Sequence, residues 1–174
     1  TMSDITHLLD TVQHSEVLKF MKSVPDESFN SIVTSPPYYG QRDYGAEEQI
    51  GLEETAQAYI DALVAVFSEA RRALKKDGTF WLNIGDTYVD ATSQHKGNGS
   101  QGKKSRYSRK HINGIPQTGR TKRNKAFYAM GLPMKSLVGR PWRVAFALQS
   151  DGWILRSGII WHRPSASESV KDRP

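Results

Sequence analysis

The sequence contains no cysteine, which excludes disulfides and thiolate metal sites. It has no apolar run near the roughly 18 residues that a membrane-spanning helix needs. The first ten residues lack the basic and then apolar pattern of a signal peptide. The five histidines show no metal-ligand spacing. We therefore expect a soluble cytoplasmic protein that makes no membrane contact and binds no metal.

The length and the composition are those of one ordinary domain. The chain has 174 residues, of which 37% are hydrophobic and 24% are charged. Domains commonly have about 100 to 200 residues, and these fractions are typical of soluble globular proteins. We expect a single domain over residues 1–174, which carries a basic insert described below.

Strand-like and helix-like segments alternate along the chain. The strongest helical pattern, over residues 55–75, places apolar side chains at spacings of three and four. Such alternation favours an α/β fold with a doubly wound sheet, in which ligands bind at the carboxyl ends of the strands. We predict strands at 8–13, 29–35 and 79–84, helices at 17–24, 55–75 and 136–148, and extended chain at 153–162.

Positive charge is concentrated in one segment. The formal net charge is +6, but residues 91–130 alone carry ten basic and no acidic residues, so the rest of the chain is acidic. The insert is also rich in glycine, which predicts a long mobile loop. Clustered cations are typical of phosphate binding, although a solvated loop without a specific role has the same composition. The candidate DNA-binding residues are Lys103, Lys104, Arg106, Arg109, Lys110, Arg120, Lys122 and Arg123.

The most informative motif is Ser35-Pro36-Pro37-Tyr38, which Thr34 separates from the apolar pair Ile32-Val33. Two prolines remove two backbone N–H donors and fix two φ angles near −65°. The residue before each proline is held extended, so the carbonyls face fixed directions without a local donor. This rigid acceptor is suited to gripping an amino group, and Tyr38 adds a flat face for a planar ring. A proline-stiffened turn is the plainer alternative.

The motif resembles the catalytic motif of amino-directed DNA methyltransferases, in which the serine form is commonest among cytosine-N4 enzymes. Flanking segments resemble the family too, and the similarity covers nearly the whole chain outside about 91–129. A catalytic motif this near the N-terminus resembles the permuted beta class. The supporting segments are Pro25 to Phe29, Tyr39 to Gly45, Asn83 to Tyr88, Leu137 to Arg143 and Ile159 to Pro164.

The resemblance implies a Rossmann-like fold, S-adenosylmethionine as the methyl donor and double-stranded DNA as the partner, in a prokaryotic or phage cytoplasm. It implies transfer to the exocyclic amine of a flipped cytosine, with adenine as the second choice. Ser35 and the carbonyl of Pro36 would hold the amine, Pro37 would stiffen the loop, and Tyr38 would stack on the base. An RNA or protein-glutamine methyltransferase, or a non-catalytic DNA-binding subunit of the same fold, remains the alternative.

Three residues are candidates for cofactor contact: Glu16, Thr34 and Asp86. Glu16 stands where the family usually has Gly-Asp after a strand, and a first-turn helix position beside an N-cap Ser15 explains it equally well. Asp86 follows Gly85 at a predicted strand end, where it would support the site or cap the next segment.

The family's Phe-x-Gly-x-Gly segment, whose glycines allow close backbone approach to the cofactor, does not occur in this sequence. The resemblance is therefore to the catalytic-motif half of such an enzyme. We expect a second polypeptide or a missing C-terminal region to carry the glycine motif. We also expect the chain alone to bind the methyl donor poorly and to be inactive.

Overall fold

The fold is built on two neighbouring parallel strands with helices against one face. The computed structural model describes residues 5–40, 43–46, 48–89, 127 and 129–162. The elements in chain order are a 3-10 helix at Thr6–Leu8, α1 at Val17–Ser23, β1 at Phe29–Thr34, α2 at Ala56–Ala73, β2 at Leu74–Leu82 and α3 at Arg140–Ser150.

The two strands pair in parallel, and their carboxyl ends lie side by side. Ser31 pairs with Thr79 and Thr34 pairs with Leu82, and the register is irregular between Phe29 and Ser31. Parallel strands require a crossover connection, which here includes α2. As a result, the chain segments that follow β1 and β2 leave the sheet at the same edge.

Helix α2 is the central element of the core. Its N-cap Thr55 accepts a hydrogen bond from the Ala58 N–H at 3.0 Å, which satisfies one of the unpaired donors of the first turn. The apolar spacing predicted from the sequence buries Leu63 and Phe67 on one face. The ring of Phe67 lies 4.9 Å from that of Phe80 on β2, so the helix packs directly on the sheet.

Helix α3 packs on the same core and begins at a glycine. Gly139 has a φ of 72°, which is in the left-handed region that favours glycine. Val144 and Leu148 are the buried apolar side chains of α3, and both belong to the cluster that contains α2. Helix α3 therefore extends the layer that α2 begins.

The sequence predicted the kinds of most elements, but three segments differ. The predicted strand at 8–13 is wrong: the described chain has a 3-10 helix at Thr6–Leu8, and Asp10 adopts a φ of 53°, which interrupts an extended run. Strand β2 begins at Leu74, five residues earlier than predicted, because α2 ends at Ala73. The helix predicted at 136–148 begins later, at Arg140, whereas residues 153–162, predicted as extended chain, have neither a helix nor a strand assignment.

The α/β class is thus confirmed at the level of a mixed structure with a small parallel sheet of two strands. The wider doubly wound, permuted arrangement stays a prediction. Within the residues that the structure describes, no helix is both long and apolar enough to cross a membrane.

Candidate active site

The Ser-Pro-Pro-Tyr loop, residues 35–38, follows β1 directly at the carboxyl edge of the sheet. Ser35 is exposed, whereas Pro36, Pro37 and Tyr38 are half-buried. In parallel sheets this edge is where ligands bind. The structure therefore places the predicted catalytic residues together, with the serine side chain open to solvent.

The loop is fastened at both ends. The Asn83 N–H donates to the Thr34 carbonyl at 2.9 Å, and the Tyr59 hydroxyl donates to the Pro37 carbonyl at 2.9 Å. Among the described residues, no hydrogen bond reaches the carbonyls of Ser35 and Pro36. The middle of the loop therefore carries two unused acceptors, held by flanking contacts.

Two glycines let neighbouring segments approach the loop closely. A Cβ on Gly51, whose φ is 105°, would lie 3.3 Å from the Tyr38 carbonyl oxygen. A Cβ on Gly85 would lie 3.2 Å from the Tyr38 ring. The Gly40 N–H also donates to the Gly51 carbonyl at 2.7 Å. Larger residues at positions 51 and 85 would push against Tyr38, so these glycines help to position its ring.

Arg140 is a buried cation beside Tyr38. Its side chain is 2% exposed, and its guanidinium carbon lies 5.9 Å from the centroid of the Tyr38 ring. None of its three guanidinium nitrogens has a hydrogen-bond partner among the residues that the structure describes. Burial lowers the pKa of Arg140, although Tyr59 and Asp86 act in the opposite direction. The site therefore contains a positive charge that only an aromatic ring and nearby polar groups stabilise.

Tyr59 lies in the same cluster and is almost fully buried. Its ring centroid is 5.4 Å from that of Tyr39. Burial raises the pKa of Tyr59 to about 12, against the opposing charge of Arg140. At neutral pH its hydroxyl is therefore protonated and can keep donating to Pro37.

Asp86 caps α3. Its Oδ1 accepts from the N–H of Thr87 at 2.8 Å and of Arg140 at 3.1 Å, and its Oδ2 accepts from the Gly139 N–H at 2.9 Å. A carboxylate is well suited to this place, because it satisfies open donors and complements the helix dipole. The sequence left two roles open for Asp86, support of the site and capping. These hydrogen bonds are those of a cap.

Glu16 has a similar place on α1. Its carboxylate accepts from the N–H groups of Leu18 at 2.8 Å and Lys19 at 2.6 Å, so Glu16 rather than Ser15 is the N-cap. Cofactor contact by Glu16, Thr34 and Asp86 stays a prediction. The eight candidate DNA-binding residues of the insert lie outside the described residues. In the part of the chain that is described, no three His, Asp or Glu side chains cluster as metal ligands would.

Sequence reasoning missed Tyr59, Arg140 and Gly51. Tyr59 is 22 residues from the carbonyl that it binds, and it occupies an apolar position of α2 that a core residue would explain. Arg140 was noticed only inside a family-like segment, without a role. No local pattern signals contacts at such separations, so only the folded chain reveals them.

Comparison with known proteins identifies the family. Residues 29–174 match the family model of the N6 and N4 DNA methylases. The chain is 47% identical over 165 residues to the Type II methyltransferase M.XycI of Xanthomonas campestris pv. cyanopsidis, covering 94% of this chain and 50% of that protein. It is 46% identical over 165 residues to M.Cfr9I of Citrobacter freundii, with the same coverage.

A third relative is the Type II methyltransferase M.SmaI of Serratia marcescens, 45% identical over 157 residues, or 88% of this chain and 48% of that protein. No solved structure matches the chain. The chain spans about half the length of the curated relatives that it matches, and the resemblance to the catalytic-motif half of such enzymes is confirmed. The protein belongs to the DNA methylase family of the N6 and N4 type.

Proposed function

We propose that the chain is the catalytic-motif half of a site-specific DNA methyltransferase that modifies the N4 amine of a flipped cytosine. The observation that carries this proposal is the Ser-Pro-Pro-Tyr loop, which is fixed at Thr34 and Pro37 and has an exposed serine between them. The serine form of the motif, which is commonest among cytosine-N4 enzymes, favours cytosine over adenine.

The unused acceptors of the loop suit an exocyclic amine. The lone pair of such an amine is delocalised into the base, which makes the nitrogen a weak nucleophile. Hydrogen bonds from its two N–H groups to the Pro36 carbonyl and the Ser35 hydroxyl would favour a pyramidal nitrogen with its lone pair free. Because the flanking contacts at Thr34 and Pro37 hold the loop, the Pro36 carbonyl would need little rearrangement to accept from the amine, and positioning of this kind supplies much of the rate.

Tyr38 would bind the base itself. A base inside a duplex is out of reach and must leave the stack, and enzymes of this kind hold the flipped base against aromatic side chains. The Tyr38 ring is held by Arg140 and by the close approach of Gly85. No described residue hydrogen-bonds to Ser35 in a way that would make it a strong base, so the proton of the methylated amine would leave to water.

S-adenosylmethionine would supply the activated methyl group. The described residues build no glycine-rich cradle for it, and the carboxylates of Glu16 and Asp86 already accept backbone hydrogen bonds. The donor pocket is therefore assigned to the half of the relatives that this chain does not span. Calorimetric titration of the chain alone should detect weak donor binding or none.

The remaining half would also cover the open face of the sheet. Val33 and Trp81 are paired in the register and are 78% and 51% exposed, on the face away from α2. Parallel sheets are normally covered on both faces, so this apolar surface suits a permanent partner. Mixing the two halves should restore methyl transfer, and Trp81→Lys should prevent it, whereas Lys76→Ala on the same strand, nine-tenths exposed, should not.

The deciding experiment is mass spectrometry of nucleosides from DNA treated with the complete enzyme. The complete enzyme is this chain together with the half of its relatives that the chain does not span. We expect N4-methylcytosine. Detection of N6-methyladenine would change the proposed target base from cytosine to adenine. Methylated RNA or methylated glutamine, with unmodified DNA, would contradict the proposal and favour an RNA or protein-glutamine methyltransferase. Intact DNA binding without any methyl transfer would favour a non-catalytic subunit.

A further inference from the structure

Among the described residues, Tyr59 is the side chain that donates a hydrogen bond from the core to the Ser-Pro-Pro-Tyr loop. It lies on the first turn of α2, which begins at Ala56, and is 1% exposed. Its hydroxyl donates to the Pro37 carbonyl at 2.9 Å. Because the ring is packed against Tyr39 at 5.4 Å, the hydroxyl has little freedom to move, and the Pro37 carbonyl is fixed to the longest helix of the described structure.

The position of Pro37 controls the position of the acceptor beside it. The Pro36 carbonyl is one peptide unit away, and because the peptide bond is planar and the φ of Pro37 is fixed, the ψ of Pro37 is the main free torsion between the two carbonyls. Rotation of the Pro37–Tyr38 peptide is the main motion that the prolines leave free. The Tyr59 hydrogen bond is the contact that opposes this rotation.

We propose that Tyr59 is a positioning residue for methyl transfer: by holding the Pro37 carbonyl it aims the Pro36 carbonyl at the target amine. This inference rests on the proposed function. Tyr59 does not touch the base, and it acts only through the loop. Its hydroxyl remains protonated because burial raises its pKa to about 12, so the contact persists across the working pH range.

The test is Tyr59→Phe in the complete enzyme, which removes one oxygen and leaves the ring in place. We expect kcat for methyl transfer to fall on the order of 10- to 100-fold, because a small misplacement of reacting groups lowers the rate by about this much. KM for DNA and for the methyl donor should change less than about 2-fold, because the substrate contacts themselves remain. A fluorescent 2-aminopurine at the target position should flip equally well in both proteins.

The matched control is Ile60→Val, on the next residue of α2. Ile60 is 5% exposed in the same core cluster, and the substitution typically costs about 0.5–1.5 kcal/mol of stability, so it tests whether general loosening is sufficient. We expect its kcat to remain within about 2-fold of the wild type.

The inference is overturned if Tyr59→Phe retains full kcat, if Ile60→Val loses as much, or if flipping fails in the Tyr59 variant. The proposed function fails in a different way, since the unmodified complete enzyme would then yield no methylated base at all.

Discussion

Two loops leave the same edge of the sheet, and they are used in opposite ways. The Ser-Pro-Pro-Tyr loop follows β1 and leaves the Ser35 and Pro36 carbonyls without donors among the described residues. The loop after β2 ends in Asp86, whose carboxylate accepts three backbone hydrogen bonds. The first loop keeps acceptors that the described fold does not use, whereas the acceptors of Asp86 in the second loop bind the backbone of the fold.

This difference limits what a position at a strand end can reveal. The carboxyl edge of a parallel sheet is a good guide to where ligands bind, but both loops satisfy that rule. What separates them is whether their polar atoms already have partners. Substitutions in the β1 loop should therefore affect activity, while substitutions in the β2 loop should affect stability.

The sharpest test of the first loop is Ser35→Ala in the complete enzyme. Removing one hydrogen-bonding group at a reacting centre should lower kcat by about 100-fold or more. Since Ser35 is exposed, the free energy of unfolding should change by less than about 0.5 kcal/mol. Radiolabelled methyl transfer and urea unfolding measure the two quantities.

The control for Ser35→Ala is Ser31→Ala on β1, whose hydroxyl hydrogen-bonds, among the described residues, only with the exposed Thr79 hydroxyl. It should leave both activity and stability close to those of the wild type. A large stability loss in Ser35→Ala with unchanged kcat would mean that the β1 loop serves the fold as the β2 loop does.

The second loop should respond in the opposite direction. Asp86→Ala leaves the N–H groups of Thr87, Gly139 and Arg140 without their acceptor. Unpaired donors and a lost helix cap together should cost about 3 kcal/mol of unfolding free energy. Urea denaturation of the chain measures this loss.

Asp61→Ala is the matched control, because Asp61 is exposed on α2 and, within the described structure, its side chain accepts only from the Gln57 side chain. It should change stability by less than about 0.5 kcal/mol. If Asp86→Ala costs no more than this control, the cap is energetically unimportant, and a ligand role for Asp86 becomes the better explanation of its place.

Much of this arrangement could be predicted from the sequence, for local reasons. The periodicity of α2, the β1 strand and the site of the proline loop depend on neighbouring residues, and each has the predicted kind and approximate bounds. The motif also led to the right family. Local patterns are reliable here because proline, apolar spacing and capping act within one or two turns of chain.

The contacts between elements were not predictable in this way. Asp86 reaches residues 53 and 54 positions away, and Tyr59 binds a carbonyl 22 residues earlier. Which polar atom meets which is decided by packing, and packing depends on the whole chain.

Tyr59 connects the first loop to the core, and alkaline pH should weaken this connection. Its pKa is raised from 10.0 to about 12, so the folded state favours the protonated hydroxyl. The resulting stability is fully present below pH 10 and is lost as the pH rises towards 12. The loss attributable to Tyr59 should be roughly 2 to 3 kcal/mol.

Other groups titrate in the same range, so the measurement is a difference between proteins. Urea unfolding of the wild type and of Tyr59→Phe should be compared at intervals from pH 9 to pH 12. The stability gap between the two proteins should narrow as the hydroxyl ionises. A gap that stays constant across this range would show that burial does not hold the proton on Tyr59.

Arg140 links the two loops, and the smallest expected effect concerns its charge. Its backbone N–H donates to Asp86, while its guanidinium lies over Tyr38 and has no hydrogen-bond partner in the described part of the chain. Replacing a buried, unpaired charge by an apolar side chain of similar length is often neutral or stabilising. Arg140→Met should therefore raise the free energy of unfolding by about 1 kcal/mol.

Arg143→Met provides the contrast, because Arg143 lies one turn later on α3 and its Nε donates to the Val138 carbonyl at 2.9 Å. Losing that bond should lower stability by up to about 1 kcal/mol. If Arg140→Met instead destabilises the protein more than Arg143→Met, the guanidinium has a stabilising partner. If Arg140→Met stabilises the protein but slows methyl transfer, the Arg140 cation serves the activity of the β1 loop at a cost in stability. Arg140 would then connect the two loops, through its guanidinium on one side and its backbone N–H on the other.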